Sequence, residues 1–172
     1  MTGESFTIRL ATTEDIPVIM DIHQRSWLFA YKHCLPLQLI QNHTANRYNM
    51  WKELLAKNDD EQYVAVFNGK IIGFLGVIAP RDVDLFKDTR ELQGLYLDPD
   101  YVGRGFGTRI INWVKNSTLS MGCTRISLWV LAQNIRAKNF YRKNGFCPDG
   151  SVKLSGLNDT IQERYIWCAA KT

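Results

Sequence analysis

The segment LYLDPDYVGRGFGTRI, from Leu95 to Ile110, constrains the fold more than any other part of the chain. Gly103, Gly105 and Gly107 occupy alternate positions between a strand-like run and a helix-like run. A helix begins with unpaired amide groups and partial positive charge, and glycines leave those amides open to an anion such as a phosphate. Arg104 adds a full positive charge beside them. The segment predicts a strand–loop–helix unit with a phosphate site, and a glycine-rich turn without a ligand is the alternative.

Two common phosphate loops do not fit this pattern. A Rossmann fingerprint requires G-x-G-x-x-G, but the sixth position is Thr108 when counted from Gly103 and Ile110 when counted from Gly105. The Walker A string G-x-x-x-x-G-K-[ST] does not occur in the sequence. The glycines therefore indicate a phosphate loop of another kind, or a plain turn.

The composition narrows the class of protein. The chain has 172 residues, of which 45% are hydrophobic and 22% charged, and a net charge of +4, which favours one globular domain over residues 1–172. It has no run of like charge, so we expect a small anionic ligand rather than nucleic acid. The N-terminus lacks the apolar segment of a signal peptide and no stretch approaches the length of a membrane span, so we expect no membrane partner and a cytoplasmic location.

The cysteines and histidines predict neither a disulfide framework nor a metal site. No C-x-x-C pair occurs among the scattered cysteines, which are Cys34, Cys123, Cys147 and Cys168. His23, His33 and His43 are ten residues apart, a spacing that places no two of them on one helix face. We therefore expect reduced cysteines, and histidines with ordinary packing or surface roles.

Hydrophobic periodicity and turn residues predict the element order β-α-α-β-β-β-α-β-α-β-β. The clearest turn is Asn68-Gly69, which joins two strand-like runs as a hairpin. The other predicted strands are Phe6–Thr12, Glu91–Asp98, Thr124–Ala132 and two closing strands, GFCPDG and QERYIWCA. The predicted helices are one capped by Thr13, a second helix or broken pair that ends near Asn58, one from Gly105 to about Ser120 with Met121 on its apolar face, and NIRAKNFYRKN with Gly145 as its C-cap.

Two motifs, in this order, resemble those of the Gcn5-related N-acetyltransferases, the GNAT family. LYLDPDYVGRGFGTRIINWV is similar to motif A, a strand and short turn followed by [QR]-x-x-G-x-[GA] at the start of a helix. NIRAKNFYRKNGF is similar to motif B, N-x-x-A-x-x-F-Y-x-x-x-G-F. The element order fits over Phe6 to Cys168, with one departure at Val102, where the family usually has Gln or Arg. The resemblance implies the GNAT fold, an α/β fold of the α+β type with a mixed, mostly antiparallel sheet of about seven strands and about four flanking helices.

The resemblance also implies acetyl-CoA as the co-substrate. Its pyrophosphate is expected on the main-chain amides of one loop, formed by Val102, Gly103, Arg104, Gly105, Phe106, Gly107 and Thr108. Its pantetheine arm is expected along the strand residues Leu95, Tyr96 and Leu97, with Asn134 and Tyr141 as further contacts. Gly94 interrupts that strand and indicates either a bulge that opens a gap for this arm or a close approach of the backbone.

The implied reaction is attack of a primary amine on a thioester. By resemblance to motif B, Tyr141 is expected to give a proton to the leaving thiolate, and the Leu95 amide is expected to stabilise the oxyanion. Glu91 is expected to act as the base, and a water relay without a single base is the alternative. Tyr141 as a core aromatic residue and Glu91 as a charge at a loop edge remain open as structural interpretations.

We interpret the chain as an N-acetyltransferase that acts on a small-molecule or peptide amine. The alternatives are a protein N-terminal or lysine acetyltransferase and a non-catalytic acyl-CoA-binding module, and a homodimer is left open. In the family the first two helices contribute to the acceptor side, which would include Trp27 and Tyr31 unless these residues are core. Asp82 and Asp84 would either attract a cationic amine or belong to a solvated loop.

Overall fold

The computed structural model describes residues 4–45, 47–57, 61–157 and 159–170. Within these ranges the strands are β1 (Phe6–Leu10), β2 (Glu61–Phe67), β3 (Lys70–Ile78), β4 (Thr89–Leu97), β5 (Arg125–Leu131), β6 (Cys147–Leu154) and β7 (Ile161–Cys168). The α-helices are α1 (Ile16–Tyr31), α2 (Leu37–Thr44), α3 (Tyr48–Ala56), α4 (Phe106–Ser120) and α5 (Ile135–Lys143). Short 3-10 helices cover Thr13–Asp15 and Pro99–Tyr101. In the same ranges, no helix is both long enough and apolar enough to cross a membrane.

The strands that the structure describes form a seven-stranded sheet in the order β1-β2-β3-β4-β5-β7-β6. Antiparallel pairing joins β1 to β2, β2 to β3, β5 to β7 and β6 to β7. Strand β4 pairs in parallel with β5, from Thr89 opposite Arg125 to Glu91 opposite Ser127. The mixed, mostly antiparallel sheet confirms the predicted fold class.

The β2–β3 hairpin turns where the sequence predicts. Asn68 and Gly69 both have positive φ, 48° and 77°. Two such residues form the tight turn whose twist matches that of the strands on either side. Phe67 pairs with Lys70 directly across this turn. The hairpin is therefore encoded locally.

One compact unit comprises the chain up to Val77 together with Gly94–Ile110. Its core lies where α1 and α3 cover β2 and β3. The buried residues of this cluster are Ile16, Ile19, Ile22, Trp51, Val64 and Phe74. Helix α1 supplies the three isoleucines at steps of three residues, the spacing that places side chains on one face of a helix.

The other compact unit comprises Ile78–Gln93 and the chain from Ile111 onward. Within it, Ile111, Val114 and Thr118 form the buried face of α4. Met121 was expected on this face and is 45% exposed instead. The expectation is wrong there because α4 ends at Ser120, and the chain turns at Gly122 with φ of 76°.

Several element boundaries differ from those expected. Strand β1 ends at Leu10 because Thr12, rather than Thr13, caps the next turn, with its N–H donating to Asp15 at 2.8 Å. The second predicted helix is the broken pair α2 and α3. Its predicted end near Asn58 lies outside the described residues, and α3 is observed to end at Ala56.

Candidate active site

The glycine loop lies between β4 and α4 and has the backbone that the sequence indicates. Gly103 and Gly105 have φ of 81° and 84°, a region that residues with a Cβ atom rarely adopt. A Cβ atom built on either glycine meets no described atom within 4 Å, so the space in front of this backbone is open. Arg109 N donates to Gly105 O at 3.2 Å and closes the first turn of α4. The amides of the residues between them, 106–108, have no acceptor within the helix and suit an anion.

The main-chain amide of Val102, a predicted pyrophosphate contact, already has a partner within the chain. Its N–H donates to Pro99 O at 3.2 Å and so ends the 3-10 helix Pro99–Tyr101. A bond from this amide to a pyrophosphate would replace that internal hydrogen bond. The amides that are ready for a phosphate therefore begin at Gly103.

Cations on aromatic rings surround the glycine loop. The Arg104 guanidinium lies 5.0 Å from the centre of the Tyr101 ring, and the Lys70 ammonium lies 5.3 Å from the same ring. The Arg109 guanidinium lies 4.2 Å from the centre of the Phe6 ring. Stacking of this kind holds a cation without neutralising it. The positive charge complements an anionic ligand on the loop.

An ion pair that the sequence did not reveal fixes the chain just before the loop. The buried Asp98 carboxylate accepts from Arg25 Nη1 at 2.8 Å and Nη2 at 2.9 Å. It also accepts from Asp100 N at 3.1 Å and so caps the 3-10 helix. Hydrogen bonding from Arg25 lowers the pKa of Asp98. Helix α1 thereby anchors the end of β4, from which the loop departs.

The end of β4 requires glycine on two strands because Tyr96 approaches both. A Cβ atom on Gly73 would lie 2.7 Å from Tyr96 O, and one on Gly94 would lie 2.7 Å from Cε2 of the Tyr96 ring. The Tyr96 ring stacks on Phe74, with centroids 4.8 Å apart. Gly94 therefore leaves room for the Tyr96 side chain, whereas the close backbone approach is at Gly73, and a bulge at Gly94 stays a prediction. Leu95 and Leu97, the predicted pantetheine partners, flank this tyrosine on β4.

Glu91 lies inside β4 and is only 1% exposed. Its carboxylate accepts from the backbone N–H of Arg81 at 3.0 Å, and from Arg81 Nε at 3.1 Å and Nη2 at 2.5 Å. Both carboxylate oxygens are therefore engaged by one residue. A base would have to leave some of these bonds, so the geometry indicates a structural role beside the predicted catalytic one.

Tyr141 and Asn134 both belong to α5. Tyr141 is buried, with ring contacts to Phe140 at 5.3 Å and Phe146 at 5.7 Å between centroids. Asn134 caps the helix, because its Oδ1 accepts from Ala137 N at 3.0 Å. The motif B asparagine thus has a local structural role that its position before a helix could have indicated.

The acidic residues of the loop before β4 are neutralised within the fold. Arg164, which is 5% exposed, donates to Asp84 at 2.6 Å and 2.8 Å and to Asp149 at 2.7 Å. It also lies 3.3 Å from Asp82, which in addition accepts from Trp129 Nε1 at 2.8 Å. Asp82 and Asp84 therefore do not form an open anionic site for a cationic amine. Arg164 lies 80 positions from Asp84, so no short motif in the sequence indicates this contact.

The first two helices bring together a cluster that the sequence analysis did not foresee. Between ring centroids, His43 lies 4.0 Å from Trp27 and 5.9 Å from His23. The His23 ring centroid lies 4.9 Å from that of Tyr96. Burial lowers the pKa of His23 to about 3 and that of His43 to about 4, with Arg47 as a further cause in both. Both imidazoles are neutral near pH 7. Spacing in the sequence could not reveal this pair because α1 and α2 supply one histidine each.

The structure combines a mixed sheet with an open glycine loop at the start of a helix, an arrangement that suits an anionic ligand held on backbone amides. The model of the acetyltransferase (GNAT) family matches residues 16–146, and the chain belongs to this family. Acetyl-CoA is the acyl donor of the family, as the motifs predict. Family membership confirms the resemblance and the predicted enzyme class.

Individual relatives agree with this assignment. The chain is 28% identical over 151 residues to an uncharacterized N-acetyltransferase of Methanocaldococcus jannaschii, with 87% of this chain covered but only 64% of that protein's length. It is 25% identical over 166 residues to a spermidine N(1)-acetyltransferase of Thermoplasma acidophilum, with 93% of this chain and 97% of the relative covered. The fold is similar to that of PaiA N-acetyltransferase from Thermoplasma acidophilum in complex with coenzyme A, with a TM-score of 0.79, 22% identity, and coverage of 95% and 99%.

Proposed function

We propose that this chain transfers the acetyl group of acetyl-CoA to a primary amine of a small molecule. The observation that carries the proposal is the open backbone of Gly103 and Gly105 before α4. The residues present fit the coenzyme, since a phosphate can reach amides that no side chain covers. Arg104 and Arg109 supply the matching charge beside them.

The remaining roles follow the family pattern. We propose that the main chain of Leu95 and Leu97 pairs with the pantetheine and that the Leu95 amide stabilises the oxyanion. In the reaction the amine nitrogen bonds to the acetyl carbon while the carbon–sulfur bond breaks. The amine loses one proton to Glu91 or to water, and Tyr141 gives one to the thiolate. Asn134 contacts the pantetheine while it caps α5.

The charges of the fold do not favour a polycationic acceptor. A polyamine such as spermidine is a candidate because one relative is named for it. However, Asp82 and Asp84 are paired with Arg164, and Glu91 is paired with Arg81, so these carboxylates are not available to a polyamine.

A cytoplasmic location and a homodimer are further parts of the proposal. Cell fractionation would test the location, and sedimentation analysis would test the oligomeric state.

Gly105→Glu tests the coenzyme site. Saturating acetyl-CoA at about 100 times its Kd should stabilise the parent by about 2.7 kcal/mol, and the variant should gain nothing because a carboxylate occupies the phosphate position. Gly122→Glu is the matched control, since Gly122 also has positive φ and open space and follows the other end of α4. The Tm should rise with acetyl-CoA in the parent and the control only. An equal rise in all three proteins would remove the glycine loop from the proposal.

Turnover separates the enzyme from a bare binder of acyl-CoA. Release of free coenzyme A, read with a thiol reagent across a panel of amines and peptides, should exceed slow hydrolysis for at least one small amine. Turnover of peptides alone would favour the protein-modifying alternative, and no amine-dependent release would favour the binding module.

The catalytic roles are tested by one pair of variants. Tyr141→Phe keeps the ring and removes the proton donor, so kcat should fall by about tenfold to a thousandfold with little change in acetyl-CoA affinity. Glu91→Gln should lower the rising limb of the kcat/KM profile between about pH 6 and 9 if Glu91 is the base. An unchanged kcat would mean that Tyr141 serves as a core aromatic residue and not as the proton donor. An unchanged profile for Glu91→Gln leaves the proton to a water relay.

A further inference from the structure

Arg47, in the turn between α2 and α3, carries a charge that no residue described by the structure neutralises. Its Nε donates to His43 O, Nη2 lies 3.1 Å from His43 Nδ1, and Nη1 lies 3.8 Å from Met50 Sδ. None of these partners is an anion. Over residues 4–45, 47–57, 61–157 and 159–170, no carboxylate lies within ion-pair distance of this guanidinium.

Among the residues that the structure describes, the contacts of Arg47 are uncharged, and one of them is the aromatic ring of His43. His23 and His43 are uncharged near pH 7, because burial lowers the pKa of each to about 3 and about 4. Trp27 and Tyr96 supply the other rings of the cluster. Burial also lowers the pKa of Arg47. The cluster therefore carries a net positive charge in a setting from which much of the water is excluded.

Such a charge costs free energy unless something compensates it. Partly buried charges in proteins are normally paired, and an unpaired one marks a candidate functional site. The last carbonyls of α2 offset part of the charge through the helix dipole, and His43 O is one of them. A carbonyl satisfies a hydrogen bond but carries no full negative charge, so an anion from outside the chain would complete the site.

His23 contributes a buried polar atom that lacks a hydrogen-bond partner among the described residues. His23 is 3% exposed, and its Nδ1 makes no hydrogen bond within the described residues. A buried ring nitrogen without a partner is uncommon in native folds. Together with Arg47, His23 offers hydrogen-bonding capacity next to flat apolar rings, a combination that suits a carboxylate on a short carbon chain.

The cluster adjoins the strand that is proposed to bind the coenzyme. Tyr96 belongs to the cluster and lies between Leu95 and Leu97, whose main chain is proposed to pair with the pantetheine. A ligand held by Arg47 would therefore lie beside the part of the coenzyme that carries the acetyl group.

We propose that Arg47 binds the carboxylate of the acceptor, so that the acceptor is an amino acid-like molecule with a carboxylate and a separate primary amine. This inference rests on the proposed acetyltransferase function and names its substrate class. The guanidinium of Arg47 holds the carboxylate by charge and hydrogen bonds, and the partly exposed Tyr96 packs against its carbon chain. The amine is thereby left to reach the thioester.

Matched acceptor pairs test the inference. Lysine and cadaverine differ only in the α-carboxylate, as do ornithine and putrescine, and lysinamide keeps the size of lysine without its negative charge. The parent should prefer the carboxylate member of a pair by about tenfold to a hundredfold in kcat/KM, the range expected for hydrogen bonds to a charged group. Products identified by mass spectrometry show which amine is acetylated.

The variants connect this preference to one residue. Arg47→Gln should bring the ratio between the members of a pair close to one, and Arg47→Lys should restore part of it because the charge returns without the planar fork. Lys52→Gln removes one exposed positive charge from the neighbouring helix α3 and should keep the parental ratio. A parental ratio in Arg47→Gln, or a loss of acetyl-CoA binding instead of acceptor selectivity, would overturn the assignment.

A binding measurement separates this inference from the proposed function. With coenzyme A present, calorimetry should detect lysine but not lysinamide, and only while Arg47 is present. Binding of lysine that depends on Arg47 without any acetylation would contradict the acetyltransferase proposal and keep the carboxylate site. Acetylation without a preference for carboxylates and without such binding would contradict the carboxylate site alone. The absence of both would overturn both proposals.

Discussion

Arg164 and Arg47 differ in whether carboxylates surround their guanidinium groups. Arg164, on β7, is 5% exposed and is surrounded by carboxylates from Asp82, Asp84 and Asp149. Arg47 is partly buried among neutral rings, and in the part of the chain that the structure describes no carboxylate accompanies it. The first arginine joins a loop to a sheet, whereas the second offers its charge to something outside the chain.

The difference shows how charge separates structural from binding residues. Hydrogen bonds to its carboxylates raise the pKa of Arg164, while burial lowers that of Arg47. A buried cation that pairs with several carboxylates supports the fold, because its removal leaves those carboxylates without a partner. A cation without a partner contributes little to stability and much to recognition. The two arginines should therefore differ in how stability and selectivity respond to substitution.

Replacing Arg164 should have the largest effect on stability. Arg164→Met leaves Asp82, Asp84 and Asp149 close together without their common partner. Breaking a buried pair in this way should lower the free energy of unfolding by about 3 kcal/mol, reduced from the fully buried value because water reaches Asp84. Urea unfolding at pH 7 measures the change. A loss below about 0.5 kcal/mol, the scale of an ordinary surface change, would make Arg164 equivalent to Arg47 and end the contrast.

A fall in pH should lower the free energy of unfolding, because the histidines next to Arg47 are buried in their neutral form. The pKa of His23 is lowered by burial to about 3, so the unfolded chain binds a proton below pH 6.5 that the folded chain does not. Stability is therefore complete above pH 6.5 and is lost as pH falls toward the folded pKa. Between pH 6.5 and about 4.5 the loss should be about 2 kcal/mol, with a smaller share from the more exposed His43. His23→Gln should flatten this limb, measured by urea unfolding at several pH values, and an identical slope would contradict the assignment.

Replacing Arg47 should have the smallest effect on stability. Arg47→Met removes an uncompensated charge and keeps most of the apolar stem, so the free energy of unfolding should change by less than about 1 kcal/mol in either direction. Thermal unfolding without ligands is the measurement. A loss as large as that of Arg164→Met would mean that Arg47 supports the fold, and its unmatched charge would no longer indicate a ligand.

Local features were predictable from the sequence because short-range geometry decides them. The hairpin at Asn68-Gly69 requires two residues that accept positive φ, and the pair supplies them. The glycine loop requires bare backbone before a helix, and Gly103 and Gly105 supply it. The motifs around these features were sufficient to assign the family and the fold class.

Contacts between distant segments were not predictable in the same way. The resemblance implied Glu91 as a base, which stays a prediction, and the sequence did not indicate that Arg81 pairs with its carboxylate. The sequence left two interpretations of Asp82 and Asp84, a cation site or a solvated loop, and did not indicate Arg164, which lies 80 positions from Asp84. Periodicity describes which face of an element a residue occupies, but it does not say which partner faces it.

Short segments of the chain specify the hairpin and the strand–loop–helix unit, and two short motifs indicate the family, because neighbouring residues suffice for each. Which charges are matched depends on how the chain folds. Folding places His23 of α1 beside His43 of α2, and among the described residues it gives Arg47 uncharged neighbours. The free energy of a charge depends on everything within a few ångströms of it, and in a folded chain that surrounding comes from several elements at once.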